Sequence, residues 1–120
     1  MKNSEIKKLD LLYQTLLLFK YKHRSILGGE ATLIHHYIHK SSGLRMRWWL
    51  PNGLPMNLDQ HNVMHSSDKR KEGYNDVIIA IKGERWKKEL EDRKWKMANH
   101  KKVEFNDVMR YLNGERNDYI

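Results

Sequence analysis

Apolar and polar positions recur with two different periods along this chain, and the changes of period mark its parts. Ile6, Leu9, Tyr13, Leu16 and Leu17 return at three-to-four spacing, which predicts a helix with one apolar face. Ser4 is placed to cap it, its hydroxyl accepting from an early backbone N–H. The run Leu16-Leu17-Leu18-Phe19 is wider than a surface stripe needs. Such a helix enters the core or is covered by a second copy of the chain, which leaves a homodimer open. Gly28-Gly29 breaks the helical pattern, and Ala31-Thr32-Leu33-Ile34 predicts a short strand ending on His35 and His36.

Beyond the polar stretch His39-Lys40-Ser41-Ser42-Gly43, Leu44-Arg45-Met46-Arg47-Trp48 alternates with period two and predicts a second strand. Pro51-Asn52-Gly53 predicts a turn. Asp59 precedes a short helix bearing His61 and His65, where it could cap the first turn or add a ligand, the cap being favoured. Ser66 to Gly73 predicts a polar loop. Tyr74 to Lys82 is apolar and rich in β-branched residues, so periodicity alone admits a strand as well as a helix. Glu84 to Met97 predicts a helix laced with i,i+4 charge pairs. Phe105, Val108, Met109 and Leu112 predict a last short helix ended by Asn113-Gly114, with Glu115 to Ile120 frayed.

Composition narrows this picture. A chain of 120 residues with 39% apolar side chains suits one domain, residues 1–120, with a modest core. Without cysteine there is no disulfide and no thiolate zinc, so no structural zinc is expected. Lys7, Lys8 and Asp10 interrupt the first apolar stretch, so no secretory leader is expected there. No segment reaches membrane-spanning length. The expectation is a cytoplasmic protein with no membrane partner.

The net charge of +8 favours a polyanion, and its distribution says more than its total. Residues 20–50 hold Lys20, Lys22, Arg24, Lys40, Arg45 and Arg47 against the single acid Glu30. Residues 66–120 hold 14 basic and 11 acidic side chains, nearly in balance. The excess surrounds the histidines, where phosphates would dock, although a solvated basic surface explains such a charge equally well. Arg45 and Arg47 on one strand face would form a phosphate clamp, because a guanidinium donates in a fixed fork to phosphate oxygens. Lys69, Arg70 and Lys71 offer further phosphate contacts. One of Trp48 and Trp49 is expected in the core, while the other could stack on an unpaired base.

The histidines carry the chemistry. His61 and His65 lie four apart, so on a helix they share a face and can chelate one divalent cation. His35 and His36 are neighbours on a strand and face opposite ways, so both enter one site only if the strand ends or twists there. No cysteine nucleophile, nucleophile elbow or Walker glycine loop is present, which argues against Ser-His-Asp, Cys-His and nucleotide-hydrolysing chemistry.

In their order, His35-His36, Asn52 and His61-x-x-x-His65 resemble the ββα-metal, or HNH, nuclease motif, with spacing like that of colicin-type DNases. The resemblance implies an α+β fold: a small ββα-metal (HNH) core at 25–66, an N-terminal helix at 1–24 and C-terminal helices at 74–114. It implies His36 as general base, Asn52 as loop clamp, and His35, His61 and His65 as ligands of one divalent ion, Mg²⁺ or Mn²⁺ first, with Zn²⁺ or Ni²⁺ as further candidates.

A narrower resemblance runs from about Ser25 to Trp95. Residues His36-Tyr37-Ile38, Leu44 to Trp48, Asn52 and Tyr74 to Arg85 followed by Leu90 are similar to the phage recombination nucleases called NinG or Rap. That family implies cleavage of branched DNA, such as D-loops or Holliday junctions, in the cytoplasm of a phage-infected cell. Its members carry two Cys-x-x-Cys knuckles, and here Ser25, Gly28, Asn57 and Gln60 stand at those positions. With no zinc to staple it, the segment is expected to be held by ordinary packing. A non-catalytic DNA-binding module on a degenerate HNH fold is the competing expectation.

Overall fold

A computed structural model of the chain describes residues 1–39, 44–97 and 103–119. Its elements are α1 (Asn3–Lys20), β1 (Leu33–His36), α2 (Leu44–Arg47), a 3₁₀ turn (Leu50–Asn52), β2 (Gly53–Met56), α3 (Leu58–Met64), α4 (Arg70–Lys82), α5 (Glu84–Met97) and α6 (Phe105–Tyr119). Helices around one small sheet make this an α+β chain.

β1 and β2 pair antiparallel, Leu33 opposite Met56, Ile34 opposite Pro55, His35 opposite Leu54 and His36 opposite Gly53. All four residues of β2 are buried, so the two-stranded sheet is covered on both faces. On one side, Leu9, Tyr13, Leu16 and Leu17 of α1 pack with Ile34, Trp48, Leu50, and Val108 and Leu112 of α6. On the other, Leu54 and Met56 pack with Met64 of α3 and Ile78 of α4. The apolar face read along α1 is thus a core face.

Several local expectations change. The α1 helix begins at Asn3, and Glu5 accepts a hydrogen bond from the Lys2 backbone N–H at 2.8 Å; Ser4 lies inside the first turn instead of capping it. Leu44–Arg47 is one helical turn, not a strand. The strand that pairs with β1 comes from Gly53–Met56, just after the Pro51-Asn52 turn. The α4 helix starts at Arg70, inside the stretch expected as loop, and Tyr74 to Lys82 is helical. The α6 helix runs through Asn113-Gly114 to Tyr119 instead of ending there. Tyr119 packs against the α1 core, and the Lys20 ammonium sits 4.4 Å from its ring centre, so tertiary contact outweighs the local glycine.

Asn57, not Asp59, caps α3. Its side chain accepts from the Gln60 N–H at 2.9 Å, and the Gln60 carboxamide oxygen accepts from the Asn57 N–H at 3.1 Å. Gln60 then reaches across to the 25–29 turn. Its oxygen accepts from the Ser25 hydroxyl and its Nε2 donates to the Gly28 carbonyl at 2.9 Å, while Ser25 Oγ accepts from the Leu27 N–H at 3.1 Å. Ser25, Gly28, Asn57 and Gln60 therefore meet in space. They join the turn to α3 by directed hydrogen bonds, where packing alone was expected.

Candidate metal and hydrolytic site

Three imidazoles converge where β1 meets α3. Ligand nitrogens of His35, His61 and His65 all lie within 4.8 Å of one another. His35 Nδ1 and His61 Nδ1 are 3.0 Å apart, and the His61 and His65 ring centres are separated by 4.5 Å, as one helical turn provides. Nitrogens about 2.0–2.1 Å from a shared ion stand roughly 3.3 Å apart in tetrahedral geometry, so the His35–His61 pair needs only a few tenths of an ångström of opening to share a cation, with His65 close enough to complete the set. His35 is buried, His61 half-buried and His65 exposed, which gives the cluster a closed side and an open one. Burial, reinforced by the neighbouring imidazoles, pushes the His35 pKa down to about 3, so this ring is neutral and able to ligate at neutral pH.

His36 follows strand alternation and turns the other way, onto α1. Its ring stacks on Tyr13, centres 5.3 Å apart and planes 7° from parallel. His36 Nε2 lies 2.8 Å from the Arg47 carbonyl oxygen. A carbonyl can only accept, so Nε2 carries the hydrogen and Nδ1 is the accepting nitrogen of the neutral ring. A cavity of about 320 Å³ opens between α1 and α3, bordered by His36, His61 and His65 together with Asp10, His39 and Arg47. Strand alternation is kept: His36 borders the cavity with His61 and His65, while His35 meets those two histidines without lining it.

Asn52 is fully buried and ties the loop around this wall. Its Nδ2 donates to the carbonyls of Ile38 at 2.9 Å and Met46 at 3.2 Å, and its Oδ1 accepts from the Ile38 N–H at 2.8 Å. Its own carbonyl accepts from Tyr37 N–H at 2.9 Å.

The cations fare unequally. Arg47 does border the cavity, but its Nε and one Nη donate to both carboxylate oxygens of Asp10, at 2.9 and 2.6 Å. With Leu44–Arg47 helical, the two-arginine clamp on a strand face does not exist; Lys40 and the side chain of Arg45 lie outside the described residues. Arg70 is engaged by Asp68 at 3.0 Å and Asp59 at 3.4 Å, while Lys69 and Lys71 are exposed. Asp59 thus pairs with Arg70 and is neither the helix cap nor part of the histidine group. Trp48 is in the core, and Trp49 is covered by the Arg93 guanidinium, 3.5 Å from its ring centre, and by the stacked ring of Tyr111.

Sequence reasoning missed the contribution of α1. Asp10, Tyr13 and Gln14 border the cavity, yet they read only as part of an amphipathic helix. His39 also borders it, its ring edge-on to His65 at 5.9 Å; its nearness to the His35-His36 pair was the available signal.

Compared with protein-family models, curated proteins and solved structures, the chain matches none. Among the described residues, no helix is long and apolar enough to cross a membrane.

Proposed function

We propose that this protein is a metal-dependent DNA endonuclease of the HNH type that hydrolyses phosphodiester bonds. The observation that carries the reading is the three-imidazole group of His35, His61 and His65, two of whose members, His61 and His65, border one cavity with a fourth, oriented imidazole, His36. Phosphodiester hydrolysis needs an activated water, neutralisation of charge on the phosphate, and help for the departing oxygen. A divalent cation held by His35, His61 and His65 would supply Lewis acidity toward the phosphate and the leaving oxygen. An all-imidazole donor set suits borderline ions such as Zn²⁺ or Ni²⁺ better than Mg²⁺, which prefers oxygen ligands.

His36 acts as the base. Its Nε2–H is committed to the Arg47 carbonyl, so Nδ1 is the atom that accepts the proton of the attacking water. Asn52 holds the loop that carries this carbonyl, through its bond to Met46 one residue earlier. Arg47, at the cavity edge, places a permanent positive charge near an incoming phosphate while Asp10 fixes its direction. The preference for D-loops or Holliday junctions, and a phage role in recombination, rest on the NinG-like sequence similarity.

The test is cleavage of branched and linear duplex DNA with Zn²⁺, Ni²⁺, Mn²⁺ and Mg²⁺ supplied separately. Cleavage is expected with at least one ion. The His36→Ala variant should lose about 100-fold or more of it while still binding Co²⁺ and DNA. His61→Ala and His65→Ala should lose metal binding itself. No cleavage with any ion, alongside retained DNA binding, would overturn the enzyme and leave a DNA-binding module.

A further inference from the structure

The wall behind His36 is built by α1, an element outside the ββα unit that holds the other histidines. Asp10 and Tyr13 lie three residues apart on one face of this helix, and both reach the His36 cavity. They fix the imidazole in two different ways.

Tyr13 fixes its plane. The phenol is buried, its ring lies parallel to His36, and its hydroxyl donates to the Trp49 carbonyl at 2.9 Å. Gly53, the β2 residue opposite His36, lies against the same phenol. A Cβ at Gly53 would stand 2.6 Å from the Tyr13 hydroxyl oxygen and closer still to Leu17 Cδ1, so the strand can approach Tyr13 this closely only as glycine.

Asp10 fixes its hydrogen bond. The carboxylate receives two bonds from Arg47 and a third from the Trp48 indole N–H at 2.9 Å. Those three bonds anchor the Arg47-Trp48 segment from which the Arg47 carbonyl meets His36 Nε2.

We propose that Asp10 and Tyr13 are positioning residues for His36, which α1 holds in one ring plane and in one tautomer, Nε2–H. The base therefore depends on α1 as well as on the strand that bears it. The metal triad is carried by β1 and by α3 and its C-terminal end, not by α1, so loss of α1 support is expected to separate base function from metal binding. The catalytic consequence rests on the reading of His36 as general base; the orientation does not.

Two measurements on the full chain keep those apart. In ¹⁵N-histidine-labelled, metal-free protein, about two pH units above the ordinary imidazole value, the His36 nitrogen shifts should report a single Nε2–H tautomer. Tyr13→Phe, which keeps the stacked ring, should preserve them. Tyr13→Leu and Asp10→Asn should move both nitrogens toward the average of two tautomers. In the cleavage assay, Tyr13→Leu should lower kcat by about 10- to 100-fold with KM and Co²⁺ affinity unchanged, and Tyr13→Phe should restore most of the rate.

Wild-type shifts in Tyr13→Leu and Asp10→Asn would overturn the proposal. If Tyr13→Leu does not fold, the Asp10→Asn shifts decide it alone. Absence of cleavage in the wild type would overturn the endonuclease reading while the nitrogen shifts still judged the positioning.

Discussion

At the scale of single residues, the site is defined by what its surroundings do to two of its histidines. His35 is held neutral because its pocket disfavours the charged ring, with a folded pKa of about 3 against 6.5 for a free imidazole. The unfolded chain therefore binds a proton below pH 6.5 that the folded chain refuses until about pH 3. Stability contributed at this position is fully present above 6.5 and is lost as the pH falls, by about 1.4 kcal/mol per unit for one proton. Urea unfolding of metal-free protein between pH 7 and 4 should show this slope, and His35→Gln should flatten it. Equal slopes in the two proteins would contradict a neutral buried His35. His36 is held by direction instead, through its Arg47 bond and its stacking on Tyr13. Behind that stack, at Gly53, the determinant is space: Gly53→Ala must push aside Leu17, Tyr13 and Ile34, at a cost of about 1–3 kcal/mol in the same unfolding measurement. The histidine spacing was legible because a helix fixes what stands at i and i+4. The Asp10–Arg47 pair was not, because 37 residues separate partners that only the packed fold brings together.

Among elements, the misread ones show which local signals lose to tertiary packing. Leu44 to Trp48 alternates over five residues, too short to separate a strand from one helical turn. Its Met46 and Trp48 are both buried, as on one strand face, but Trp48 lies past the end of the helical turn, which frees it from helical spacing. The true partner strand, Gly53–Met56, carries a glycine and a proline and shows no alternation because both its faces are covered. Helix α6 overrides Gly114, where an added Cβ would meet nothing within 4 Å, so the glycine brings only its entropic cost to the helix. Gly114→Ala should raise stability by about 0.5–1 kcal/mol, seen as a higher denaturation midpoint. The hydrogen-bonded join between the 25–29 turn and α3 makes the opposite prediction. Gln60→Ala leaves Ser25 and the Gly28 carbonyl without their bonds to Gln60 and removes half of the α3 capping box, so it should cost about 1–3 kcal/mol. If instead it costs no more than an exposed substitution, packing alone holds this segment.

For the molecule as a whole, the question is where a net charge of +8 acts. Total charge was legible in the sequence, but its availability was not, since Arg47 is paired with Asp10 and Arg70 with Asp59 and Asp68. Lys69 and Lys71 are exposed at the start of α4, which packs against the histidine-bearing α3, and on the proposed reading they would meet DNA flanking the cavity. Phosphate contacts release counterions, so the logarithm of duplex affinity should fall linearly with the logarithm of salt concentration, by about 0.9 for each phosphate neutralised. Lys69→Ala and Lys71→Ala should each make that slope shallower by about one, while leaving Co²⁺ binding at the histidines unchanged. Titrations of His36→Ala protein, in which cleavage is expected to be too slow to consume the DNA during the measurement, provide the comparison. Unchanged slopes in both lysine variants would move the DNA path away from α4, and a slope near zero in the parent would remove phosphate docking from the account of this site altogether.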